Sequence, residues 1–348
     1  MFKGIYRFTT VFLLASLAVF LISACNFRVS NHPPSLSKVS SIANCRVIQH
    51  IMGETCVPKN PQRIVTLSAD TLGNILALGV KPIGSANEFL KEGEFYPYFS
   101  EAETQGITTV GKPEYPNLER LLLLKPDLII GWGGYTPQAI YPLLSRIAPT
   151  VLYNWQKNTW KENFNFIADV LGEKEAAQSA WIDYEKRIQK LQTTLGNRYT
   201  NKKVSFVFTH PNGIGSAANN SFLGSIIKDV GLQRPKSQDI VVDWGFMLFS
   251  EEELEKVDGD VLFVAKYNDD RFLYQLKQKP LWRTLKAVQQ NNVYPVTDSA
   301  WYGQNMTAAK VVIDELFKYL VSSTEIGVLR PNRWTFSSSI VFSTSQRL

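Results

Sequence analysis

From Arg63 onward, short apolar runs alternate with segments whose apolar residues recur every three or four positions, which is the pattern of α/β folding. Ile64–Leu67 reads as a strand, Thr71–Leu78 as a helix stopping at Gly79, and Lys81–Ser85 as a second strand. Asn117–Lys125 predicts a helix with one apolar face, Leu128–Ile130 a buried strand, and Pro149–Leu152 one more. After Gly196-Asn197 the order begins again. Val204–Phe208 predicts a strand and Phe222–Val230 a helix stopping at Gly231, while Ile240–Val242, Val261–Val264 and Tyr294–Val296 predict further strands.

Two local matches relate the halves. Leu72-Gly73-Asn74-Ile75 followed by Gly79 corresponds to Leu223-Gly224-Ser225-Ile226 followed by Gly231. Glu119 stands eight residues before Asp127, as Glu252 stands eight before Asp260, and each Asp leads into an apolar triplet. The offset of 133 residues is far too long for a solenoid period and reads as two similar lobes. Between them, Glu173–Leu195 is rich in Ala, Glu, Lys and Gln. Its apolar positions Ala177, Trp181, Tyr184, Ile188, Leu191 and Leu195 step by three and four, with Gly196 as C-cap. A helix of that length spans roughly 35 Å, enough to join two lobes in one rigid stroke.

The N-terminus has a different pattern. Lys3 and Arg7 precede the apolar run Val11–Ile22, which is too short for a comfortable membrane span and ends in Ile22-Ser23-Ala24-Cys25. This is the form of an export signal with a lipobox, so residues 1–24 are expected to be removed and Cys25 to carry the lipid. Asn26–Ser41 lacks hydrophobic period and reads as a tether. The remaining cysteines, Cys45 and Cys56, are an even pair in an exported chain and predict a disulfide across a hairpin. Beyond Leu320 the composition turns rich in Ser and Thr. The expected organisation is therefore signal 1–24, tether 25–44, N-terminal α/β lobe 45–172, interlobe helix 173–196, C-terminal α/β lobe 197–320, and a poorly ordered tail 321–348.

The 348 residues suit two domains, and 45% hydrophobic content supports real cores. Losing Lys3 and Arg7 takes the net charge from +6 to +4, too weak and scattered for nucleic acid. Three dispersed histidines do not build a catalytic metal site, and there is no HExxH, Walker loop or GxSxG. Gly213-x-Gly215-x-x-Ala218 superficially matches a dinucleotide fingerprint. The acidic residue that should follow a second strand is missing, so the segment reads as a Gly/Asn-rich loop.

What recurs instead is aromatic residues just beyond strands: Trp132 and Tyr135, Tyr153 and Trp155, Trp244, Tyr267, and Trp301 with Tyr302. Ligands of open α/β sheets bind outside the carboxyl ends of the strands. The expected cleft contacts are therefore Trp132, Tyr135, Trp155, Trp244, Tyr267, Arg271, Trp301 and Tyr302, with Lys112 and Lys266 as further cations nearby. Aromatic faces suit the apolar skeleton of a ligand, and Arg271 suits carboxylate or carbonyl oxygens.

Pro61-Gln62-Arg63-Ile64-Val65, Leu78-Gly79-Val80-Lys81-Pro82-Ile83-Gly84, Pro116-Asn117-Leu118-Glu119 and Lys125-Pro126-Asp127-Leu128-Ile129-Ile130 carry a resemblance. From about Cys45 to Leu320 the chain resembles the ferric-siderophore substrate-binding lipoproteins of bacterial ABC importers, relatives of vitamin B12 and haem binders. The resemblance implies two Rossmann-like α/β lobes joined by one long helix, with a cleft for an iron chelate between them. It implies a lipid-anchored monomer, on the cytoplasmic membrane and facing outward, that hands its ligand to a dimeric ABC permease. Iron arrives within its chelator, so neither a cofactor nor a catalytic residue is expected. Glu119 and Glu252 match glutamates that pair with permease arginines in that family. Corrinoid or haem as ligand, and an exported enzyme acting between the lobes, stay open as alternatives.

Overall fold

The structure, a computed structural model, describes residues 45–88, 91, 93–134, 136–154, 159–210, 213–265 and 270–321. It opens with an antiparallel hairpin of β1 (Cys45–His50) and β2 (Gly53–Pro58), with Val47 opposite Cys56. A disulfide joins Cys45 to Cys56, their Cα atoms 5.5 Å apart. Ile51 N donates to Leu152 O at 3.2 Å and Thr55 Oγ1 to Thr150 O at 3.0 Å, which sews the hairpin onto the first lobe.

That lobe continues with β3 (Ile64–Thr66), α1 (Ala69–Ala77), β4 (Gly84–Ser85), α2 (Glu101–Thr104) and β5 (Thr108–Thr109). A small hairpin, β6 (Gly111–Lys112) with β7 (Tyr115–Pro116), precedes α3 (Leu118–Leu124) and β8 (Leu128–Trp132). Then come α4 (Tyr141–Ile147), β9 (Thr150–Tyr153) and α5 (Trp160–Leu171). The sheet order is β5-β4-β3-β8-β9, all parallel. Parallel strands covered on both faces need unbroken apolar runs, and every residue of β8 and β9 is buried.

α6 (Lys174–Leu195) is the long helix, 22 residues and about 33 Å. It buries Ala177, Ala180, Tyr184, Ile188, Leu191 and Leu195 on one stripe, and Gly196 follows as its C-cap. Asp229 ties three helices together. It accepts from Tyr184 Oη at 2.6 Å and pairs with Lys161 Nζ at 2.5 Å.

The second lobe holds β10 (Val204–His210), β11 (Gly213–Ala217), α7 (Phe222–Val230) and β12 (Phe246–Phe249). A 3-10 turn, Glu251–Val257, leads to β13 (Val261–Ala265). There follow α8 (Asp270–Gln278), α9 (Pro280–Thr284), α10 (Lys286–Gln289), β14 (Val293–Val296), α11 (Asp298–Tyr302) and α12 (Met306–Leu320). The order is β12-β11-β10-β13-β14, with β10, β13 and β14 parallel and β11 and β12 antiparallel.

Two expectations are corrected here. Gly213-x-Gly215 is not a loop but strand β11, returning directly beside β10. Its glycines serve close packing: a Cβ at Gly215 would overlap the Phe208 ring, and one at Gly213 would meet Phe249 O. Ile240–Val242 forms no strand; it is an exposed irregular segment, with Val241 74% accessible.

The lobes are not separate bodies. One apolar core runs from Ile64, Leu128 and Phe164 through Tyr184 and Leu191 to Phe206, Phe263 and Val312. α12, the last of the described helices, packs on α1 of the first lobe. Met306 N donates to Asn74 Oδ1 at 3.0 Å, Thr307 Oγ1 to Gly73 O at 2.9 Å, and Gln304 N to Asp70 Oδ1 at 2.8 Å. A Cβ at Gly73 would overlap the Asn305 amide, so this approach requires glycine.

Candidate functional site

The carboxyl ends of the first sheet gather hydroxyls and carboxylates. Ser68 caps α1, accepting from Thr71 N at 3.1 Å, and Thr71 Oγ1 meets Tyr153 Oη at 3.2 Å. Glu88, just past β4, is buried and accepts from Ala69 N, at 3.0 Å to one carboxylate oxygen. The helix N-terminus favours its anion, yet burial, then the neighbouring Asp70, push its pKa up to about 8. Burial also raises Asp70, against the hydrogen bonds from Gln304 and Asn305. Asn305 Nδ2 reaches both Asp70, at 3.3 Å, and Tyr98 Oη, at 3.2 Å. These polar residues carry no hydrophobic period, so no sequence pattern singled them out.

At the end of the second sheet the chemistry is aromatic. Tyr302 packs edge-on to Phe208 with centroids 4.9 Å apart, and Phe246 lies 6.1 Å from Phe208 and 6.0 Å from Tyr302. Phe246 is 37% exposed and Trp244 60%, so the cluster has an open margin. Phe208 and Phe246 were missed by the sequence reading. The signal lay in the alternation of Phe206 with Phe208 and of Phe246 with Leu248, which puts each pair on one face of its strand.

The expected contacts divide accordingly. Tyr302 lies in this cluster, and Trp244 is exposed two residues before Phe246. Trp132 ends β8 as expected but is only 7% exposed. Trp301 is a core ring, 1% exposed, stacked on Phe206 at 5.3 Å, with Nε1 donating to Glu315 at 2.5 Å. It has no open face for a ligand, because α11 turns it under the sheet. Tyr135, Trp155, Lys266 and Tyr267 lie outside the described residues, as does the side chain of Arg271, whose backbone opens α8. Cys25, with the signal, the tether and residues 322–348, lies outside them too.

Glu119 and Glu252 occupy equivalent places. α3 leads into β8 and the Glu251–Val257 turn leads into β13, so both glutamates begin a segment at the carboxyl end of their sheet. Both are exposed. Asn117 caps α3, accepting from Arg120 N at 3.0 Å, and Ser250 forms a capping box with Glu253. The aspartates eight residues on match as well. Asp127 accepts from Gln62 N at 2.7 Å and Arg63 N at 2.9 Å, just before β3; Asp260 accepts from Lys203 N at 2.7 Å, just before β10. The second segment differs from α3 in being 3-10, with a kink at Glu253.

Among the described residues no group of three metal-ligating side chains forms a metal site, and no helix is long and apolar enough to cross a membrane. A family model described as periplasmic binding protein matches residues 64–300. The probable siderophore-binding lipoprotein YfiY of Bacillus subtilis (strain 168) is 33% identical over 320 residues, covering 88% of this chain and 96% of YfiY. The Fe(3+)-citrate-binding protein YfmC of the same bacterium is 28% identical over 309 residues, covering 86% and 94%. Among solved structures, Staphylococcus aureus SirA complexed with staphyloferrin B superposes with a TM-score of 0.69 at 26% identity, covering 79% of this chain and 98% of SirA.

Proposed function

The chain belongs to the periplasmic binding protein family, and from that membership we propose that it captures an iron(III)–siderophore complex and delivers it to an ABC permease. The observation that carries the reading is the end-to-end similarity to YfiY, which spans both lobes and α6. The site's chemistry agrees with it. A chelate offers an apolar skeleton and an oxygen-rich rim, and the two sheet ends offer aromatic rings on one side and hydrogen-bonding groups on the other. Trp244, Phe246, Tyr302 and Tyr267 supply the aromatic wall of the second lobe, with Arg271 for anionic oxygens, and Trp132, Tyr135 and Trp155 are contributed by the first lobe. The chelator satisfies the iron, so the protein contributes no cofactor and performs no catalytic step.

Export follows from residues 1–24, and Cys25 carries the lipid that holds a monomer at the outer face of the cytoplasmic membrane. Cys25→Ala then releases the protein from membranes with ligand binding intact. Glu119 and Glu252 dock the permease: each is an exposed carboxylate beside the sheet end, suited to an arginine.

Titration with a panel of ferric hydroxamate, catecholate and citrate-type chelates, followed by tryptophan fluorescence and native mass spectrometry, tests the ligand. Reversible quenching with the chelate recovered unchanged is the expected result. Binding of cobalamin or haem, with every ferric chelate silent, replaces it by a corrinoid or haem reading. For docking, Glu119→Arg with Glu252→Arg is expected to abolish uptake at unchanged chelate affinity.

A further inference from the structure

The outer edge of the first sheet is closed by the hairpin, and one of the closing bonds is made by a titratable ring. β9 is the last strand of its sheet, so one row of its backbone groups faces away from β8. An open row of that kind invites pairing with another chain. Here Leu152 O accepts from Ile51 N at 3.2 Å, and Thr150 O from Thr55 Oγ1 at 3.0 Å. Leu152 N donates to His50 Nδ1 at 3.3 Å, and the same nitrogen accepts from Met52 N at 3.4 Å. The imidazole thus stands where a neighbouring strand would place a carbonyl. Its tautomer follows from its other side. Thr55 Oγ1 commits its proton to Thr150 O, so it accepts at 2.8 Å from His50 Nε2, which carries the hydrogen. Nδ1 is then a lone pair facing two N–H donors.

The tip of the hairpin reaches the ligand end of the sheet. Ile51 packs against Gly133, where a Cβ would overlap the Ile51 Cδ1 atom. Gly133 directly follows Trp132 and donates to Tyr153 O at 3.1 Å, while Thr136 N returns to Trp132 O at 3.0 Å. Tyr135 is two residues on from Gly133 in sequence, and Trp155 two beyond β9. The disulfide closes the hairpin at its other end. Cys45 lies opposite Pro58 and Cys56 opposite Val47, whereas His50 lies opposite Gly53 beside the tip.

We infer that His50, acting with Ile51, is a positioning residue for the first-lobe contacts Trp132, Tyr135 and Trp155, and that protonation of His50 releases this brace. The inference rests on the ligand-binding role proposed for those three residues. A proton on Nδ1 replaces the acceptor by a third donor and leaves the Leu152 and Met52 amides without their partner. The groups around the ring do not call for that proton. Tyr141 of α4 stands with its ring centroid 5.7 Å away, and β9 contributes backbone groups. Glu54 of β2 lies on the opposite face of the hairpin, where it accepts from Gln49. Arg46, on the same face of β1 as His50, donates to Lys59 O and Val170 O. Burial lowers the His50 pKa from its ordinary value of about 6.5. The brace is therefore intact at neutral pH and is lost as pH falls through a value below about 6.5.

The test uses the full-length protein and whichever ferric hydroxamate, catecholate or citrate chelate it binds most tightly at pH 7.5. Affinity is followed by tryptophan fluorescence down to pH 5.0, with His50→Asn alongside. The Asn Oδ1 falls where Nδ1 stands and takes up no proton in that range, so this variant also controls for any pH response of the chelate. Wild type is expected to match His50→Asn at pH 7.5 and to bind about threefold more weakly, or worse, at pH 5.0. A second measurement needs no variant and no ligand. Corrected for intrinsic rates, protection of the Leu152 amide against hydrogen exchange in wild type is expected to fall about threefold or more between pH 7.5 and 5.0, while the amides of β8 keep theirs. Unchanged Leu152 protection overturns the inference. So does equal affinity of wild type and His50→Asn at pH 5.0 when Leu152 protection is lost, because the hairpin then loosens without moving the ligand contacts. If no chelate binds at any pH, it is the ligand reading that fails, and the exchange measurement alone decides whether His50 holds the edge.

Discussion

The two sheets carry different chemistry. Where the all-parallel first sheet ends, Ser68, Thr71, Asp70, Glu88 and Tyr153 form a buried polar network; where the second ends, Phe208, Phe246 and Tyr302 form a ring cluster. The difference has a topological cause. In the first lobe β3 runs straight into α1, whose N-terminal amides need acceptors, and Ser68 and Glu88 provide them. In the second, β10 turns back as β11 before its helix starts, and the small residues of β11 leave room for Phe208 to lie across Gly215. One β-α-β plan thus builds a hydrogen-bonding wall and an aromatic wall.

Five variants can break or sharpen this contrast. Phe208→Ala removes the ring at the centre of the second wall and is expected to cost about 3–5 kcal/mol in denaturant unfolding. On the first wall, Tyr153→Phe removes only a hydroxyl, which contacts Thr71 and Ser68, and is expected to cost about 1 kcal/mol. Equal costs would mean that the walls do not differ in kind. The staple belongs to the first lobe alone. Cys45→Ser with Cys56→Ser opens a loop with a sequence separation of 11 residues and is expected to lower stability by about 3 kcal/mol, with ligand titration unchanged.

The fourth variant concerns pH. Because the folded pKa of Glu88 lies near 8, above its unfolded value, the folded state holds a proton that the unfolded state releases. The contribution to stability is full below the unfolded pKa, about 4.5, and is lost as pH rises through about 8. Its slope is at most about 1.4 kcal/mol per pH unit. Glu88→Gln, whose amide oxygen still accepts from Ala69 N, is expected to remove that slope between pH 5 and 8. Identical pH profiles for variant and wild type would remove the buried acid from the first wall. The smallest expected effect on stability is at the open margin of the second. Trp244→Ala is expected to change it by less than about 0.5 kcal/mol while weakening chelate binding roughly tenfold.

Much of the fold was legible because it rests on local periods. The helix over Phe222–Val230 and the long helix beginning near Glu173 follow from three- and four-residue steps closed by Gly231 and Gly196. The Glu-to-Asp spacing of eight read as a repeat, and both aspartates hold the start of a neighbouring strand. Less of the site was legible. Trp244 and Trp301 both follow apolar triplets, yet one is 60% exposed and the other 1%. The triplets themselves do not decide that outcome. It depends on Phe206 and Glu315 arriving over Trp301, and on Ile240–Val242 failing to pair with any strand.

Local sequence therefore decided where strands and helices form, how the halves repeat, and that the two cysteines fall within one hairpin, since these depend on residues a few positions apart. Tertiary structure decided the rest. It placed Asn305 against Gly73, 232 positions away in sequence. It buried Glu88 deeply enough to hold its proton near neutrality. It turned Gly213-x-Gly215 from an expected Gly/Asn-rich loop into a strand beneath a phenyl ring. The physical reason is range. Backbone period is set by neighbours along the chain, whereas burial, and with it protonation and ring exposure, is set by whichever distant segment closes over the side chain.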